Sequence, residues 1–141
     1  SNVSYDPLNH EKMVQMRAAK IKAIEDFIPP AKPDSGREGA PLVVLGWGST
    51  YGSIKAAIKE LREEGYDVAH VHLRHLNPFP KNLGELLHSY QHILVPEMNS
   101  GQLLQLIRAK YLLPAVGFSK IQGLPFTTAE LKEKIREQLN A

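Results

Sequence analysis

Cysteine is missing from the 141 residues, and that absence removes several chemistries at once. It excludes a disulfide framework, a thiolate zinc site, a protein-ligated iron–sulfur cluster and a cysteine nucleophile. No apolar run approaches the roughly 18 residues of a spanning helix, and the N-terminus lacks the charged-then-apolar layout of a signal peptide, so a cytoplasmic setting is expected. Charge of one sign is scarce too. Lys+Arg 17 against Asp+Glu 15 leaves +2, too little and too scattered to be the footprint of a nucleic-acid or anionic-membrane binder. The G-x-S-x-G elbow is absent, as are a P-loop lysine and any internal repeat.

What is present is an ordinary globular balance, with 43% hydrophobic and 23% charged residues, enough for one compact core. Ser1-Asn2 reads as an expression scar. From Asp6-Pro7 to Ile28 an apolar stripe of Val14, Ile21, Ile24 and Ile28 predicts a helix that lies on another surface. Pro29-Pro30 stops it, and a Pro/Gly connector runs to Pro41. Residues 1–40 are therefore read as scar, helix and connector, and residues 41–141 as the α/β domain.

Beyond Pro41 short apolar strands alternate with helical patterns, the signature of βαβ units around a parallel sheet. Strands are expected at Leu42–Leu45, Val68–Leu73, His92–Val95 and Val116–Lys120. The first intervening helix carries Ile54, Ala57, Ile58 and Leu61 and closes at Gly65. The next carries Leu83, Leu86 and Leu87 behind a capping-box pattern of Asn82 and Glu85. A third, with Leu103, Leu104, Leu106 and Ile107, is capped by Asn99 or Ser100 and ends near Tyr111. The last pairs a second capping box, Thr127 with Glu130, with Leu131, Ile135 and Leu139. The fold expected is a three-layer α/β/α domain with a mostly parallel sheet and helices on both faces.

In such a sheet, ligands collect beyond the carboxyl ends of the strands. The first strand is followed by Gly46, Trp47, Gly48, Ser49, Thr50, Tyr51 and Gly52, whose glycines and hydroxyls at a helix N-terminus suit a phosphate. They equally suit a tight turn capped by Ser49 or Thr50, with Trp47 packed on a neighbouring surface. The spacing is not the dinucleotide fingerprint, and Arg74 stands where a ribose-binding acid would be, which suits a 2′-phosphate. A self-contained module binding FMN or NADP is thus one open alternative. His70 and His72 share a strand face, yet a full metal-ligand set is missing and His75 belongs to the loop, so no metal site is expected. Glu97, within expected reach of Arg74 or His75, is either a general base or a structural contact to a partner charge or helix end. No serine–histidine–acid order can be defended, and no catalytic residue is assigned.

Four loops in order carry a resemblance: Leu45 to Gly52; His72-Leu73-Arg74-His75-Leu76-Asn77-Pro78; Val95-Pro96-Glu97-Met98-Asn99 with Gly101-Gln102; and Lys120 to Phe126 through Gln122-Gly123. Together with Ser4-Tyr5-Asp6-Pro7 they resemble the C-terminal domain of the α subunit of 2-oxoacid:ferredoxin oxidoreductases, most of all the 2-oxoglutarate type. The resemblance implies a fold like the transketolase C-terminal domain. It also implies a parent enzyme that decarboxylates 2-oxoglutarate oxidatively on thiamine diphosphate, passes the acyl group to coenzyme A and reduces ferredoxin. Thiamine diphosphate, Mg and the iron–sulfur cluster would lie elsewhere, because this chain has no Gly-Asp-Gly motif and no Cys. The implied partners are the rest of the α subunit and the β subunit, with no nucleic acid and no membrane. The chain then reads as an excised domain, inactive alone. Its candidate ligand- or partner-facing residues are Gly46, Trp47, Gly48, Ser49, Thr50, Arg74, His75, Asn77, Glu97, Asn99 and Gln102, gathered along one rim.

Overall fold

The computed structural model describes residues 7–98, 101–120 and 124–141. Four parallel strands, β1 (Leu42–Trp47), β2 (Val68–Leu73), β3 (His92–Glu97) and β4 (Val116–Ser119), form one sheet in the order β2-β1-β3-β4. β1 pairs with β2 along its whole length, from Leu42 opposite Val68 to Trp47 opposite Leu73. The continuous apolar run of β1 reflects its place in the middle, where both faces are covered.

Helices α2 (Tyr51–Glu63) and α5 (Thr128–Leu139) cover one face, and α3 (Leu83–His88) and α4 (Gln102–Tyr111) the other. Val44, Ile54, Ile58, Leu61, Leu94, Leu131 and Ile135 form the first core layer. Val43, Leu45, Val71, Leu83, Leu87, Val95, Leu103 and Ile107 form the second. Alternate residues of each strand divide between the two layers, as the strand period requires. The three-layer α/β/α expectation is met, and Gly65 closes α2 with a positive φ of 96°.

Four local expectations are corrected. Helix α1 (Pro7–Glu25) forms, but its stripe does not lie on the body: Val14 and Ile24 are each 53% exposed, and only Ile21 and Ile28 are half-buried. Asn82 does not cap α3; its side-chain amide is taken by Ala31, accepting from the backbone N–H and donating to the carbonyl at 2.7 Å each. Leu106 is exposed on α4. The connector is more than turns, because Ser35 pairs antiparallel with His70 and straps the outer edge of β2. Gly36 makes this approach possible: a Cβ there would lie 2.4 Å from the Val68 carbonyl oxygen.

Thr127 caps α5 as expected, with Glu130 bonding its hydroxyl in place of the backbone N–H of a full capping box. The Glu130 N–H donates to Thr127 Oγ1 at 3.1 Å, and the Glu130 carboxylate accepts from the same hydroxyl and from Lys120 Nζ.

Candidate functional site

From β1 the chain turns outward to β2 through α2, while β3 lies on the other side of β1 and leads outward to β4 through α4. The crevice between the ends of β1 and β3 is therefore the topological switch point, where open α/β sheets present ligand sites. A cleft of about 160 Å³ opens there, lined by Trp47, Gly48, Ser49, Thr50, Glu97, Met98 and Gln102.

Glu97 organises this cleft. Its side chain is buried, and its carboxylate accepts from the Trp47 indole N–H at 3.2 Å, the Leu103 backbone N–H at 2.7 Å and the Leu104 N–H at 3.2 Å. The last two are free donors of the first turn of α4, so the acid caps that helix from the end of the neighbouring strand. The N-cap position of α4 is held by Gly101 in a left-handed conformation with no side-chain cap bond; Asn99 and Ser100 lie outside the described residues.

The expectations for the first loop change accordingly. Gly48, at φ 63°, opens a single 3-10 turn from Gly48 to Thr50 before α2 begins. Neither Ser49 nor Thr50 caps the helix; the Thr50 hydroxyl donates back to the Trp47 carbonyl at 2.9 Å. With that hydroxyl engaged and a carboxylate in the same cleft, the loop does not offer the electropositive cradle that a phosphate needs. Gly46 is small because Ile54 of α2 crosses it: a Cβ would meet Ile54 Cδ1 at 2.5 Å.

Arg74 and His75 are not gathered with Glu97. They line a second cleft of about 490 Å³, walled by the connector from Pro29 to Asp34 and by Pro80. The Arg74 guanidinium donates to Asp34 Oδ1 and to the His72 carbonyl, each at 3.0 Å. The Asp34 carboxylate is held below its ordinary range, burial opposing the Arg74 and His72 hydrogen bonds that lower it. Asn77, whose peptide bond to Pro78 is cis, lines a third cleft between α1 and α4 with Ile21, Phe79 and Leu106. The candidate residues therefore divide among three separate clefts. Sequence reasoning missed Asp34, 40 residues from its partner; the one signal it leaves is an acid inside a proline-rich connector.

His70 and His72 share a face, their ring centroids 5.7 Å apart, with Tyr51 lying 5.5 and 4.8 Å from them. Burial pushes His70 down to about 4 and lowers His72 as well. Among the described residues, both ring nitrogens of His70 and Nδ1 of His72 lack a hydrogen-bond partner, and no group of three His, Cys, Asp or Glu is placed to hold a metal ion.

Residues 40–130 match the family described as pyruvate:ferredoxin oxidoreductase core domain II. The chain is 44% identical over 138 residues to the 2-oxoglutarate oxidoreductase subunit KorA of Mycobacterium tuberculosis, covering 98% of this chain and 21% of the relative. It is 32% identical over 139 residues to the α subunit of a 2-oxoacid:ferredoxin oxidoreductase of Aeropyrum pernix, covering 95% and 22%. The chain thus spans about a fifth of these relatives. Among solved structures, a 2-oxoglutarate:ferredoxin oxidoreductase of Magnetococcus marinus, with 2-oxoglutarate, coenzyme A and succinyl-CoA bound, superposes with a TM-score of 0.87 at 29% identity over 96% of this chain and 24% of that one. A split-gene transketolase shares the fold at a TM-score of 0.58 and 17% identity, over 73% and 40%.

Proposed function

This chain belongs to the pyruvate:ferredoxin oxidoreductase core domain II family, and we propose that it acts as that domain in the α subunit of a 2-oxoglutarate:ferredoxin oxidoreductase. The parent reaction would decarboxylate 2-oxoglutarate oxidatively, form succinyl-CoA and reduce ferredoxin. The observation that carries the proposal is the identity to the mycobacterial subunit along nearly the whole chain. The alternative of a self-contained FMN or NADP module is not supported, since the first loop faces a carboxylate where it would need to cradle a phosphate and the chain matches an oxidoreductase core-domain family.

Thiamine diphosphate would supply the carbanion chemistry of such an enzyme, with Mg on its diphosphate and a cluster for the electrons. The residues of this chain do not fit those groups. Cysteine is absent, and the described residues hold no metal-ligand set. No step is routed through this domain. Its work is to brace the rest of the α subunit and the β subunit, with the strand-end residues from Gly46 to Thr50, Arg74, His75, Asn77, Glu97 and Gln102 forming a surface beside the route of coenzyme A or substrate. No helix among the described residues is long and apolar enough to cross a membrane, and the cytoplasm is the compartment proposed.

The test is ferredoxin reduction with 2-oxoglutarate and coenzyme A. The chain alone should give no turnover, and an α subunit containing it, assembled with a β subunit, should turn over 2-oxoglutarate in preference to pyruvate or a branched 2-oxoacid. Robust turnover by the isolated chain would overturn the reading.

A further inference from the structure

The groove beyond β2 differs in chemistry from the Glu97 cleft. Its walls are Pro29, Pro30, Pro33 and Pro80, rigid residues with no N–H of their own to donate. Four cationic or cation-capable side chains, Lys32, His72, Arg74 and His75, line it with a single acid, Asp34. Both oxygens of Asp34 are in use, Oδ1 on Arg74 and Oδ2 on the His72 backbone N–H at 2.8 Å. The acid therefore offsets Arg74 and fixes the plane of its guanidinium, and does not neutralise Lys32. Among the described residues neither Lys32 nor His75 has an ion-pair partner.

Arg74 uses two of its N–H groups, on Asp34 and on the His72 carbonyl, out of the five a guanidinium carries. A guanidinium held in place with donors to spare, beside an unpaired ammonium in a concave site, suits bidentate recognition of a phosphate. At about 490 Å³ the groove falls within the range of small-molecule sites, roughly 300–1,000 Å³.

We propose that this groove binds the phosphate of a small phosphorylated molecule, with Arg74 and Lys32 as the recognising charges and the proline walls as the seat for the rest of the ligand. Only the identity of a phosphate ester would rest on the function proposed above. Binding to the chain is measured without turnover, so failure of this site and failure of that function give different results.

The experiment is calorimetric titration of the 141-residue chain with pyrophosphate, ADP and coenzyme A, repeated at raised salt. Saturable binding is expected, weakened about tenfold or more by Arg74→Lys and by Lys32→Ala. Lys59→Ala, which removes the same charge from the exposed side of α2, should leave it unchanged. Lys32 is exposed and has no ion-pair partner among the described residues, so its variant keeps the test valid if Arg74→Lys disturbs Asp34. Equal affinity for pyrophosphate and ADP would identify a free phosphate ligand; ADP or coenzyme A bound about tenfold more tightly would identify an organic phosphate ester. No saturable binding of any probe up to about 10 mM, or equal losses in the Lys32 and Lys59 variants, would overturn the proposal.

Discussion

Glu97 accepts three N–H groups and has no ion-pair partner among the described residues. Removing it strands an indole donor and two helix-end donors in a site largely closed to water. Glu97→Ala should lower the unfolding free energy by about 2–4 kcal/mol, read by urea denaturation, with a shift in the emission of Trp47, the single tryptophan. A second residue-scale effect follows from His70. Its pKa is about 4 in the fold against an ordinary 6.5, so between these values the unfolded chain binds the extra proton. Stability should fall as the pH drops from about 6.5 to about 4, by up to about 3 kcal/mol. His72 is lowered by burial too and adds in the same direction. His70→Phe should flatten the profile in that window, and an unchanged slope would exclude His70 as its source.

The helices differ in how far their sequences foretell their surroundings. In α5 the signal is local, because the cap and its acceptor lie three residues apart, and the structure forms the bond the pattern predicts. Thr127→Ala should therefore cost about 1 kcal/mol in thermal or urea unfolding. In α1 the apolar spacing makes a helix, yet spacing does not say what covers it; Met13, Met16 and Phe27 stand exposed beside Val14 and Ile24. Asn82 shows the opposite limit: it has the right residues for a cap, but a tertiary partner at Ala31 takes its amide. The connector strap was illegible for a similar reason, since Asp34 and Ser35 join β2 through backbone groups and one carboxylate, none of which leaves a hydrophobic pattern. Gly36 is the residue that reveals the strap. Its φ of 78° and the 2.4 Å approach to the Val68 carbonyl leave no room for a methyl group, so Gly36→Ala should cost about 2 kcal/mol or more.

Across the whole molecule, the layers were readable because a doubly covered strand must be apolar throughout: β1 meets that demand and β3 does so from Ile93 to Val95, while the edge strand β2 alternates its apolar residues with His70 and His72. Strand order was not readable, because both outer strands make right-handed crossovers whichever neighbour they choose. Hence Glu97 and Trp47 meet at the switch point, while Arg74, one residue beyond the carboxyl end of the edge strand β2, finds Asp34 instead. The same architecture bears on what α1 contributes. Residues 10–20 are exposed along their length, the two core layers contain no residue of α1, and its Asp26–Lys81 neighbour pair is exposed on both sides, where ion pairs contribute at most about 1 kcal/mol. A chain beginning at Pro29 keeps the sheet, both helical layers and the strap. It should lose ellipticity equivalent to the 19 residues of α1, retain a single cooperative melt, and shift Tm by less than about 5 °C. Loss of cooperative melting would mean that Ile21, which lines a cleft with Phe79 and α4, belongs to the folding core, and that the domain begins with the helix and not with the first strand.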